Sequence, residues 1–503
     1  MTMSFPRQSA RTRRFTLGAA RGFQIAADGS FVAFLRSRGG TDPVTCLWTV
    51  DTADGTERLI ADPAALQADG ADLPDAERRR RERAREQAGG IVSYATDRPG
   101  VLAAFSLGGR LFTADLRSGA VRALDDAASP VFDPRPDPRG RRVAYVSGST
   151  LRVIELGVAG SSGSHGSDRA LATPESDQVS YGLAEFIAAE EMGRMRGHWW
   201  APDGSALLVA RVDETPVRRL HIADPANPER PPIEVAYPAA GTPNAYVALV
   251  LLDLDGGRVS VAWDRGQFPY VVTARWDRHR LLIVVQARDQ RMTRVLQVDP
   301  RTGETRLVRE DHDPAWLEIV PGVPAHTGAG ELVWTVDDTA ADTRRLVIGD
   351  EPVTPPGLQV RGVLDVDGET VLFSASEDDP AEVHVWAYGP AGLTRLTGEP
   401  GVYSGRRSGG VTLLTGGRLD RLRSAAWIGD VEIASHADTP PIAPRVELLR
   451  AGERAIRTAV LLPADWESGA GPLPVLMDPY GGPHAQRVVA VRRAFCEAQW
   501  LAD

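Results

Sequence analysis

Short apolar runs, alternating or rich in β-branched residues and each closed by a turn, recur along this chain: FVAFLRS (31–37), RRVAYVSG (141–148), SALLVARVD (205–213), RLLIVVQARD (280–289), ELVWTVDD (331–338) and TVLFSASEDD (370–379). That texture predicts strands, with helical periodicity rare. Several runs share a preamble in which a turn delivers the chain into a buried strand: AADGSFVAFL, PDPRGRRVAYV, APDGSALLVA and DVDGETVLFSA. A second half-unit follows in LFTADLRSGAVRAL, TRVLQVDPRTGETRLV and VHVWAYGPAGLTRLT, which read as hairpins with tips at Ser118-Gly119, Thr302-Gly303 and Ala391-Gly392. Four-stranded units repeating every 40 to 60 residues or so mark a β-propeller, and about 400 residues of them predict seven or eight blades. The repeats alone do not choose between the two numbers.

Two stretches break the rhythm. DLPDAERRRRERAREQAGG (Asp72–Gly90) predicts a charged helix, with Asp75 as a cap and Gly89-Gly90 as its stop, and LAEFIAAEEMGRMRG (Leu183–Gly197) predicts a second, short one. The Gly/Ser run at 157–168 reads as a flexible loop. Near Pro440 the texture changes: VELLRAG, TAVLLPADW, an apolar strand through PLPVLM and a helix from Arg487 to Asp503 suggest α/β structure. We therefore expect a propeller over 1–440, with helical insertions near 72–90 and 183–197, and the incomplete start of another domain over 441–503.

Composition narrows the chemistry. A chain of 503 residues, 43% hydrophobic, can bury a large core. A net charge of −10 argues against nucleic-acid binding, because phosphates require a basic face. All 57 basic residues are arginine. The two cysteines, Cys46 and Cys496, sit at opposite ends of the chain without metal-site spacing, so neither a disulfide framework nor a metal or other cofactor is expected. The N-terminus has no apolar run of signal length, and no segment approaches eighteen consecutive apolar residues. The expectation is a cytoplasmic protein with no membrane partner.

Two constellations carry chemistry. Glu190-Glu191 lie in AEFIAAEEMGRMRGHWWAPDG. Adjacent helical residues diverge by about 100°, so the pair converges on one point only at a helix end; alone, it reads as a solvated face. Asp478-Pro-Tyr480-Gly-Gly-Pro-His484 leaves the PVLM strand in a glycine-rich turn, where a tyrosine hydroxyl can donate to a developing oxyanion. The bland reading there is a tight turn with a partly buried tyrosine, and His484 is expected to serve the loop. Arg78 to Arg85, six arginines among Glu77, Glu82 and Glu86, reads as a solvated, salt-bridged helix.

These segments together resemble the dipeptidyl peptidase IV family of S9 (prolyl oligopeptidase-type) serine peptidases. The likeness lies in the double glutamate followed at short range by Trp199-Trp200 and Pro-Asp-Gly, in the tyrosine loop, and in YPAAGTPNAYVALVLLD and REQAGGIVSYATDRPG. The spacing is similar to the cytosolic branch. The resemblance implies an eight-bladed all-β propeller followed by an α/β-hydrolase domain, cleavage of dipeptides from free peptide amino termini after proline or alanine, Glu190 and Glu191 holding the substrate's amino group, Tyr480 as oxyanion donor, an unspecified arginine of the 72–90 region on the substrate carbonyl, and a homodimeric parent. Gly-x-Ser-x-Gly, the nucleophile elbow, occurs nowhere in the sequence. The expectation is a chain that stops before the catalytic serine, aspartate and histidine and is inactive alone. The alternative is a non-enzymatic propeller that binds peptides or proteins.

Overall fold

The computed structural model describes residues 3–66, 75–83, 85–157, 167–482 and 485–503, with Asp75 as backbone alone. Most of the Gly/Ser run, and His484, therefore lie outside the described residues. Eight antiparallel sheets, each built on a path of four strands, occupy residues 21–61, 95–123, 131–172, 179–260, 270–312, 325–352, 359–395 and 402–433. They are the blades of an eight-bladed β-propeller. The chain divides into two compact units, Met1–Leu59 with Val320–Asp503, and Ile60–Ile319.

One local device recurs at the outer hairpins. In Asp51-x-x-x-Gly55, Asp115-x-x-x-Gly119 and Asp299-x-x-x-Gly303 the glycine N–H donates to the aspartate carbonyl oxygen at 2.8–3.1 Å. The aspartate Oδ1 accepts from the turn's own backbone N–H groups, as from Arg117 and Ser118 at 3.0 and 2.7 Å in the second sheet. Each turn thus satisfies its backbone donors locally. The inner turns use the same chemistry, with Asp28 and Asp203 accepting from Ser30 and Ser205.

In the first unit the chain's first sheet packs on its last. Val32, Phe34 and Val50 share a core with Leu413, Ala426, Ile428 and Ile433, each such side chain contributing roughly 1.5–3 kcal/mol when fully buried. Arg36, buried beneath Trp48, forks onto Glu57 at 2.9 and 2.5 Å and donates to the Ala434 carbonyl at 2.6 Å. In the second unit Leu208, Leu249 and Leu251 of the fourth sheet meet Val271, Ile283 and Leu296 of the fifth, with Trp199 between them.

Among the described residues four α-helices punctuate the strands: α1 (Phe5–Arg11), α2 (Asp75–Arg83), α3 (Phe186–Glu191) and α4 (Cys496–Ala502). The insertions at 72–90 and 183–197 hold shorter helices than the charge pattern predicts. α3 ends because Gly193 takes a left-handed turn, φ +66°, and the Arg194 N–H closes back on the Ala188 carbonyl. The segment from Arg487 is likewise shorter, a 3-10 turn (Arg492–Phe495) leading into α4. α4 is fixed by Gln499, which donates to the Leu462 carbonyl at 2.9 Å, and by Cys496 against Phe5 and Phe15. The apolar run Leu473–Met477 is not a strand: it has no ladder partner among the described residues, and Val475, Leu476 and Met477 are more than 70% exposed. A strand exists only with a neighbour to accept its backbone bonds.

The hairpin glycines give a graded test. Gly119 (φ +82°) has open space where a Cβ would go, whereas a Cβ on Gly303 (φ +76°) would sit 2.1 Å from the Ser260 carbonyl oxygen. Gly119→Ala should cost about 1 kcal/mol, the left-handed penalty alone. Gly303→Ala should cost about twice that or more, because a backbone clash is added. Urea midpoints of the two variants check the ranking, and equal losses would refute it.

Candidate functional site

The glutamate pair sits at the C-terminal end of α3, a helix too short to be stable alone. What fixes it is a buried ion pair. Arg194 Nη2 donates to Glu185 Oε2 at 2.5 Å, and the rest of the guanidinium binds the Val271 and Arg196 carbonyls at 3.1 and 2.9 Å. Both side chains are almost wholly buried, so the residue before α3 and the loop after it are tied to one point on the fifth sheet.

Glu190 and Glu191 themselves are exposed. Glu190 is engaged: Arg83, at the end of α2, donates from Nε to Glu190 Oε1 at 2.5 Å across 107 positions of sequence. The Arg83 guanidinium also lies 5.4 Å above the Phe186 ring, which meets Tyr237 edge-on at 5.3 Å. Among the described residues the Arg83 Nη groups and the Glu191 carboxylate have no hydrogen-bond or ion-pair partner. The site therefore presents two carboxylates and a guanidinium fork, with Phe186 beneath the fork: acceptors for an ammonium beside donors for a carbonyl.

Sequence reasoning placed an arginine in 72–90 without choosing it. In the structure Arg83 is the arginine of that stretch that meets the glutamate pair. Arg80 and Arg81 are consumed within α2 by Glu77, at 2.8 and 2.6 Å, and burial works against Glu77's ionisation while these arginines draw its pKa down. Missed altogether were Glu185 and Arg194, whose spacing of nine carries no periodic signal.

Beyond Gly193 the loop enters a polar cluster. Asp133, on a bulged strand of the third sheet with φ +46°, accepts from Arg135 Nε at 2.9 Å. Burial opposes its charge, but Arg135, His198 and Arg196 outweigh that and hold its pKa down to about 2. His198, fully buried, approaches the Gly182 carbonyl through Nδ1 at 3.3 Å, while its Nε2 has no partner among the described residues. Burial pushes its pKa down to about 4 against the pull of Asp133.

Tyr480 belongs to the other compact unit. It is half exposed, its hydroxyl folded back over Gly482, in a loop where Asp478 pairs with Arg487. Among the described residues no group of three or more His, Cys, Asp or Glu is placed to hold a metal. No described helix is long and apolar enough to cross a membrane.

Residues 103–403 match the family model described as the dipeptidyl peptidase IV (DPP IV) N-terminal region. The chain belongs to that family. Mouse dipeptidyl peptidase 8 is 31% identical over 104 residues, 18% of this chain and 12% of the mouse protein. The probable dipeptidyl-aminopeptidase B of Emericella nidulans is 24% identical over 277 residues, 45% of this chain and 30% of that one. The matched segments thus span less than a third of the curated relatives' length. The crystal structure of Porphyromonas gingivalis dipeptidyl peptidase 4 superposes with a TM-score of 0.77 at 18% identity, covering all of this chain and 72% of that one, which shows the shared fold. Within this DPP IV-family propeller the double-glutamate helix is a built feature, tied down by Arg194.

His198 makes a pH prediction. An unfolded histidine titrates near 6.5 and the folded one near 4. The unfolded state therefore binds more protons between these values, and stability falls as pH falls through that window. At pH 5 the wild type should have lost about 2 kcal/mol, relative to pH 7, that a His198→Phe variant keeps. Denaturant titrations at both pH values measure the difference, and parallel pH profiles would contradict it.

Proposed function

We propose that this chain is the substrate-recognition part of an S9-type serine dipeptidyl peptidase, and that it reads the free amino terminus of a peptide. The observation that carries the reading is Arg83 on Glu190, beside a Glu191 that has no partner among the described residues. An incoming ammonium would take Glu191 and the free edge of Glu190. Arg83, already oriented through Nε, would offer its Nη groups to the carbonyl of the same peptide, which makes it the carbonyl-binding arginine that the family resemblance implies. A blocked amino terminus keeps only one neutral N–H and no charge to offer the pair, so the pair selects the free chain end.

The remaining assignments follow the family. Residues 441–503 are proposed as the start of the hydrolase domain, after a propeller spanning 1–440, and Tyr480 as the donor to the oxyanion. The substrates are peptides cut after a penultimate proline or alanine, and the setting is the cytoplasm, with a homodimeric parent. The 503 residues carry no Gly-x-Ser-x-Gly, so the chain by itself is assigned recognition and not turnover.

Two measurements test this. A Gly-Pro-initiated peptide should bind the chain in calorimetry, and Glu190→Gln or Glu191→Gln should weaken it by about 10-fold or more, the worth of one charge-assisted hydrogen bond. The N-acetylated peptide should bind weakly and be indifferent to both changes; equal binding of free and acetylated peptides would remove the pair from recognition. In the second measurement, the chain should release no p-nitroaniline from Gly-Pro-p-nitroanilide. Turnover that survives repurification and resists serine-directed inhibitors would overturn the assignment.

A further inference from the structure

Arg196, five residues beyond the glutamate pair, is a half-buried guanidinium with no hydrogen-bonded or ion-paired carboxylate among the described residues. Its Nε and Nη2 both donate to one backbone carbonyl, that of His198, at 3.1 and 2.8 Å, and its Cζ lies 5.3 Å from the centre of the Trp199 ring. Asp133 is the nearby anion, but its hydrogen bonds are spent on Arg135 through Oδ1, and its Oδ2 bonds nothing. Two guanidinium groups therefore lie near one carboxylate that bonds only one of them, and the buried His198 is neutral. One positive charge is left over in a partly desolvated place, where an unpaired cation is costly. Burial, and then the neighbouring Arg135, push the Arg196 pKa down to about 9 against the pull of Asp133, as expected of a cation short of a counter-ion. Nη1 of Arg196 and Nη1 of Arg135 have no described partner.

We infer that Arg196, assisted by Arg135, forms a carboxylate subsite that reads an acidic residue of the same peptide whose amino terminus Glu190 and Glu191 hold.

The occupant is a peptide rather than a free anion because of where the subsite lies. Arg80, whose positive charge is favoured by Asp133, and Arg83, which binds Glu190, are three positions apart on α2 and so share a face. Arg80 and Arg83 stand about one helical turn, roughly 5 Å, apart along α2. Arg196 also follows Glu191 on the loop that Arg194 ties down. The inference rests on the amino-terminus reading of Glu190-Glu191, and the following experiment separates the two.

Affinities are measured for the intact chain with matched peptides that begin Gly-Pro and carry either Glu or Gln at the third, fourth or fifth position. At one of these positions the acidic peptide should bind about 10-fold tighter, the effect of a charge-assisted hydrogen bond to a partly buried arginine. Arg196→Met should bring the ratio to one, and Arg196→Lys should keep part of it. In Glu190→Gln both peptides should weaken together with the ratio preserved, so failure of the amino-terminus clamp reads as a loss common to both peptides. The thermal midpoint gives a second readout: an arginine kept for a ligand leaves Arg196→Met as stable as wild type or more so, whereas an arginine that holds the fold would lose stability there. A wild-type ratio of one at all three positions, a ratio unmoved in Arg196→Met, or a marked fall in that variant's midpoint overturns the subsite.

Discussion

A helix of six residues does not persist in water on its own backbone bonds, and the site depends on how α3 escapes that limit. The Arg194 guanidinium, nearly sealed from solvent, spends its donors on the residue before α3, on the loop after it and on the fifth sheet. Removing Arg194 would strand Glu185 as a buried charge, a change on the order of 3–5 kcal/mol. The placement of Glu190 and Glu191 therefore comes from outside the helix, which fixes the backbone that carries both carboxylates. Arg83 adds the second constraint, fixing one carboxylate and leaving the other open.

The propeller was legible in the sequence because its turns carry their own chemistry. At Asp115 and Asp299 an aspartate side chain accepts from the backbone of its own turn, and a glycine four residues later takes the left-handed conformation. Such signals are local, and the hairpin tips read from the chain, at Gly119, Gly303 and Gly392, are where the strands reverse. The number of blades was not local information. It came from the family resemblance, and the eight sheets bear it out.

What sequence could not supply was pairing at a distance. The six arginines of 78–85 look equivalent by periodicity. Glu77 removes two of them through i,i+3 and i,i+4 contacts, and Arg83 is distinguished by a glutamate 107 positions away. Leu473–Met477 shows the opposite error, since a β-prone composition predicts a strand and the residues find no neighbour to pair with. Composition reports what a segment would do given partners, and only tertiary context provides them.

The site is held from within one compact unit. Among the described residues, the contacts that hold α3 and Arg83 lie in residues 60–319: Arg194, Glu185, Phe186 and the Val271 carbonyl. None of these contacts involves a nucleophile, and their energetics come from a buried ion pair and backbone bonds formed within one compact unit. Geometry set in this way needs no reacting group to complete it, so the two carboxylates and the guanidinium hold their places independently of a serine elbow.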